Sequence, residues 1–99
     1  MDATVPNWRY STCGATAVQA ELSRWYADPG TFGDVRRTAL PDGALVEFSL
    51  TWHERGVTHM CHQAHILRLG HGLVAIDTVF CGGSWPAPLI AEMTAAAAS

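Results

Sequence analysis

The hydrophobic periods of the chain predict an α+β fold: a short strand, one helix, then four strands in hairpin succession. Three observations carry that reading. Ala15 to Tyr26 repeats its apolar residues at spacings of three and four, the period of a helix with one buried stripe. Ala44 to His53 alternates apolar and polar residues, the period of a strand. Between the later segments stand Pro41-Asp42-Gly43, Glu54-Arg55-Gly56 and Gly70-His71-Gly72, whose residue types turn a chain back on itself.

Ninety-nine residues make one domain, 1–99, with an expected ordered core over 7–93 and a frayed tail over 94–99. Only 15% of the residues are charged and 48% are apolar, a composition that packs rather than one that stays disordered. The net charge of −3 is spread along the chain, so there is no basic patch for nucleic acid. No run approaches the ~20 apolar residues of a membrane span, and the start lacks a secretory pattern. Cys13, Cys61 and Cys81 are an odd count without CxxC spacing. That pattern fits reduced thiols and a cytoplasmic location better than a disulfide framework.

In chain order, residues 1–6 read as a short lead. Asn7 to Thr12 alternates aromatic and polar residues as a short strand does. The helix over Ala15 to Tyr26 buries Ala15, Val18, Leu22, Trp25 and Tyr26, and Asp28-Pro29-Gly30 ends it. A strand over Asp34 to Leu40 precedes the turn at Pro41-Asp42-Gly43, where glycine is expected to take a left-handed conformation. Ala44 to His53 places Val46, Phe48, Leu50 and Trp52 on one face and Glu47, Ser49 and Thr51 on the other. Val57 to Phe80 forms the longest hairpin. Cys81-Gly82-Gly83-Ser84 breaks it, and Trp85 to Met93 is a short apolar closing segment. So apolar a sheet face is poorly covered by one helix of about 18 Å at 1.5 Å per residue. Either a second subunit supplies the rest, or an N-terminal part does.

From Trp8 to Met93 the order of elements resembles the C-terminal two-thirds of a SnoaL-like protein, in the nuclear transport factor 2-like and ketosteroid isomerase-like superfamily. NWRY, GATAVQAELSRWY and HILRLGHGLVAIDTVFCGGSW carry the likeness, which is one of order and spacing rather than of a signature. The resemblance implies a cone-like curved antiparallel sheet with one main helix on its concave face. It also implies a pocket for a small apolar molecule, polyketide- or steroid-like, and a homodimer packed through the convex face. Activity would be that of an isomerase, cyclase or hydrolase. Members normally begin with two further helices, and in the isomerase branch the first of them carries the oxyanion-donating tyrosine. This chain aligns only after them. The alternative is a non-catalytic ligand-binding or dimerisation module of the same fold.

The candidate site depends on how Val57 to Phe80 folds back. A three-residue loop at Gly70-His71-Gly72 pairs Leu69 with Leu73. His65 then falls opposite Asp77, Gln63 opposite Val79, and Cys61 opposite Cys81. A two-residue loop would shift the register by one and send His65 and Asp77 to different faces. In the first register His65 is a candidate catalytic base oriented by Asp77, since imidazole titrates near neutrality and a carboxylate fixes its tautomer. The competing reading is a pair that satisfies two buried polar groups. Tyr10, Trp25, Phe48, Leu50, Trp52, Cys61, Gln63 and Val79 are the candidate pocket residues. Met60, Ala64, Ile66, Val74, Ile76 and Phe80 form the more apolar opposite face. A metal site is disfavoured: His59 and His65 are separated by about 20 Å along a strand at ~3.3 Å per residue. No cofactor is implied.

Overall fold

The computed structural model describes residues 1–98. Seven strands and two helices follow in the order β1 (Asp2–Val5), β2 (Trp8–Ser11), α1 (Ala15–Trp25), β3 (Gly30–Leu40), β4 (Gly43–Glu54), β5 (Val57–Gly70), β6 (Leu73–Cys81), β7 (Trp85–Pro86) and α2 (Ala87–Ala98). They make one curved, unclosed and mostly antiparallel sheet in the order β2-β1-β6-β5-β4-β3, with β7 pairing β5. The class is α+β, as expected.

Four local differences from the sequence reading have physical causes. Residues 2–5 are a strand, not a lead. β1 pairs parallel with β6 and antiparallel with β2, so it covers the β6 edge and sets Ala3 beside Val79, both fully buried. Four residues are too few to display a period. β3 begins at Gly30, because a bulge between Gly33 and Arg36 carries the strand through Asp34 in the left-handed region (φ 49°). The closing segment and its alanine run continue as α2 to Ala98, in keeping with alanine's helix preference. Gly43, finally, has no positive φ. It is glycine because β5 passes against it: a Cβ there would collide with the Leu67 carbonyl oxygen.

The β5–β6 hairpin differs most instructively. Gly70 pairs with Leu73, so the loop is the two-residue His71-Gly72, both at positive φ (54° and 76°). That is the twist a tight hairpin requires. The register then shifts between Leu69↔Val74 and Arg68↔Ile76, leaving Ala75 as the extra residue. Gly70 makes room for it, since a Cβ at 70 would meet the Ala75 methyl at 3.2 Å. Beyond the bulge His65 pairs with Val79 and Gln63 with Cys81. The expected partners are therefore each displaced by two, while the two-residue turn and the bulge cancel in their effect on facing. Val74, before the bulge, falls on the His65 face rather than the opposite one.

Fully buried apolar side chains are sparse. Ala3, Leu50, Cys61 and Val79 are buried together with the polar Ser49, Gln63 and His65. They sit where β4, β5, β6 and β1 run side by side, and the candidate site is built there.

Candidate functional site

β4 and β5 pair Val46 with His65, Phe48 with Gln63 and Leu50 with Cys61. Apolar β4 residues thus lie beside polar β5 residues on one face. β6 adds Asp77, Val79 and Cys81 to that face. His65 meets Asp77 as a diagonal rather than an opposite neighbour, and Cys61 meets Cys81 along the same diagonal. Diagonal neighbours on a twisted sheet remain within reach of long side chains.

His65 Nδ1 lies 3.1 and 3.2 Å from the two carboxylate oxygens of Asp77. The side chains are only 11% and 13% exposed. Nε2 lies 3.0 Å from Gln63 Oε1, which also accepts the Tyr26 hydroxyl at 2.7 Å. The Gln63 amide nitrogen donates to Cys81 Sγ at 3.6 Å, and the Phe48 ring stacks on the imidazole with centroids 5.5 Å apart. Among the described residues no buried side-chain nitrogen or oxygen lacks a partner. The imidazole is held between the Asp77 carboxylate and the Gln63 side-chain oxygen. Each ring nitrogen thus has a protein partner, and neither is free to meet a bound molecule.

Next to this network is a cavity of about 180 Å³, walled by Trp25, Tyr26, Leu50 and Trp52, with Cys61, Gln63 and Cys81 as its polar side. Of the residues expected from sequence, Trp25, Leu50, Trp52, Cys61 and Gln63 come together here. His65 and Asp77 form their pair behind Gln63 and are not on the lining. Val79 is fully buried beside Ala3, and Phe48 packs between His65 and Phe32. Tyr10 turns away: its hydroxyl donates to Glu21, which also takes the Trp25 indole N–H and Arg24. His59 stacks on Trp52, while His62 lies on the opposite face. No group of three metal-ligating side chains occurs among the described residues.

Two residues that sequence reasoning left out of the site belong to it. Tyr26 was placed in the helix stripe, and its hydroxyl in fact spans from the end of α1 to β5. Burial, followed by the neighbouring Cys61, Cys81 and Asp77, pushes its phenol up. Cys81 has no cation nearby in sequence, yet the structure sets the Gln63 amide N–H against its sulfur. The Cys61 thiol, the Gly83 amide and Gln63 draw its pKa down to about 6. Cys61, giving its proton to that hydrogen bond and buried as well, is pushed up. Periodicity reports faces and is blind to both effects.

Wider grooves lie elsewhere. One of about 650 Å³ runs past Arg36, Glu47, His62 and Phe80, and an apolar one of about 420 Å³ separates Met60 and His62 from Ile90 and Met93 of α2. No described helix is long and apolar enough to cross a membrane. Compared with family models, curated proteins and solved structures, the chain matches none.

Proposed function

We propose that this chain is a small-molecule pocket protein of the SnoaL-like type, a cone-like sheet with α1 on its concave face, that binds an apolar molecule bearing one polar group. The observation that carries the reading is the Tyr26–Gln63–His65–Asp77 chain beside an aromatic-walled cavity. Asp77 and Phe48 hold His65, His65 and Tyr26 hold Gln63, and Gln63 presents its amide to the cavity. A rigid polar group on an apolar wall orients a ligand at little entropic cost. Enzyme action by His65 as base is the second reading, supported by Asp77 at Nδ1. It requires Gln63 to swing off Nε2 first, so binding is the primary role. The half-exposed Ile76 and Phe80 on the outer face support a homodimer, and three free thiols support a cytoplasmic location.

The test is titration with 2-naphthol, an apolar ring with one hydroxyl, followed by fluorescence of the tryptophans lining the cavity. Saturable quenching is expected, weakened roughly tenfold by Gln63→Leu, the loss of one or two hydrogen bonds. Absence of saturation, or quenching unchanged in Trp52→Ala, would overturn the reading. Native mass spectrometry of the freshly purified protein reports the oligomer and any retained molecule in the same measurement.

A further inference from the structure

Cys61 and Cys81 share the wall of the cavity of about 180 Å³, and the strand register sets how they meet. Cys61 lies two residues before Gln63 on β5, and Gln63 pairs with Cys81 of β6. The two sulfurs therefore belong to one face as diagonal neighbours. His65 and Asp77 are related by the same diagonal, and there the side chains converge to 3.1 Å. Diagonal Cα atoms on neighbouring strands are ~7–8 Å apart, at or beyond the ~7 Å that a disulfide spans without backbone movement. An ion between the sulfurs relaxes that limit. Two metal–sulfur bonds of ~2.3 Å, the length found with zinc, leave the sulfurs as much as ~4.6 Å apart. The pair is placed to span an ion rather than to close a bond.

The surroundings suit a soft ion. Cys61 is 4% exposed and Cys81 is partly open, so one sulfur is held in the interior while the other meets an arriving ion. The Gln63 amide nitrogen donates to Cys81 Sγ at 3.6 Å, an outer contact of the kind that orients a metal-bound sulfur. Trp25, Leu50 and Trp52 wall the same space with apolar surface. Among the described residues no group of three metal-ligating side chains occurs, which leaves a zinc tetrahedron incomplete. Two thiolates without a third ligand match Cu(I), which soft sulfur ligands select.

We propose that Cys61 and Cys81 form a two-thiolate site for Cu(I). Each thiol gives its proton to water and a sulfur lone pair to the ion. One Cu(I) and two thiols thus become a bis-thiolate complex of charge −1 and two released protons. Copper stays monovalent throughout, so no oxidant or reductant takes part. The site goes beyond the ligand reading above, and its failure would leave the binding of 2-naphthol untouched.

Reduced wild-type protein is titrated with Cu(I) under anaerobic conditions against bicinchoninate, a chromogenic competitor. One ion per chain is expected, with a thiolate-to-copper absorption in the ultraviolet. Iodoacetamide mapping of the same protein should show Cys81 protected by copper while the exposed Cys13 is still labelled. Cys61→Ser and Cys81→Ser should each weaken binding by more than about a hundredfold, beyond the ~10–100-fold typical of losing an outer contact. Gln63→Leu should weaken it roughly tenfold with the stoichiometry kept, and Cys13→Ser should leave it unchanged. Near-UV circular dichroism confirms that each variant is folded, and the wild-type map needs no variant. Copper lost in Cys13→Ser, Cys81 left unprotected, or binding unchanged in Cys61→Ser or Cys81→Ser would overturn the proposal.

Discussion

On one face of the β5–β6 hairpin, Gln63, His65, Asp77 and Cys81 are tied to one another, to Tyr26 and to Phe48. On the other, Ile76 and Phe80 stand about half exposed, at 50% and 49%. The two faces come from the same strands and alternate residue by residue, yet they differ in what removal of a side chain would cost. The inner face is a closed set of partners in which each polar group depends on another. The outer face is apolar area that the isolated chain leaves open to water, worth roughly 1.5–3 kcal/mol per large side chain if something covers it. Order within one subunit rests on the first face. Any drive to associate rests on the second.

The largest test of that contrast is His65→Leu. It strands the Asp77 carboxylate in a nearly buried position and should cost about 3 kcal/mol in urea denaturation, the range for breaking a buried pair. The double variant His65→Leu/Asp77→Leu should recover part of the loss; a double variant no better than the single would show that the carboxylate is not the reason. Next is Val79→Ala, expected to cost about 2 kcal/mol because Val79 is fully buried against Ala3. Thermal melts of this variant and of wild type give the comparison directly.

A smaller effect should follow pH. The Cys81 thiol is depressed in the folded chain to about 6, below its ordinary value near 8.5. Between those values the unfolded chain binds more protons than the folded one, so stability rises with pH and is lost as pH falls through 6. Above pH 9 the sign reverses, because Cys61 and Tyr26 are both raised and the unfolded chain ionises first. Urea midpoints at pH 6, 7.5, 9 and 10.5 should trace a maximum near 9, with the lower limb flattened by Cys81→Ser. The smallest effect on folding belongs to Phe80→Ser, within about 0.5 kcal/mol as for most surface changes. Sedimentation equilibrium should nonetheless show it weakening the proposed homodimer, and unchanged association would remove the outer face from that role.

The hairpin order, the α1 helix and the β4 face were readable because each spans enough residues to repeat its period. β1 escaped notice because four residues paired in parallel with a distant strand display none. The His65–Asp77 contact was anticipated through a register the molecule does not use. A three-residue loop and a two-residue loop with one bulge give the same facing, and alternation sees only facing. What Gln63 does to His65 was not visible at all. The same face lists that placed both residues together could not show that one occupies the free nitrogen of the other. Tyr26 and Cys81 were hidden for a related reason: their roles come from neighbours 37 and 18 positions away in the chain, and single-strand patterns carry no such distances.

The bulge at Ala75 has a consequence for how this hairpin can change length. Ala75 is left out of the ladder, so the paired residues on either side of it alternate as though it were not there. Removing Ala75 alone would leave Val74 opposite Leu69, Ile76 opposite Arg68 and Asp77 opposite Leu67, a regular ladder with both surfaces kept. The hairpin therefore carries one residue of slack: loss of a single residue at the bulge turns it into regular ladder, whereas loss of two there would send Asp77, Val79 and Cys81 to the outer face.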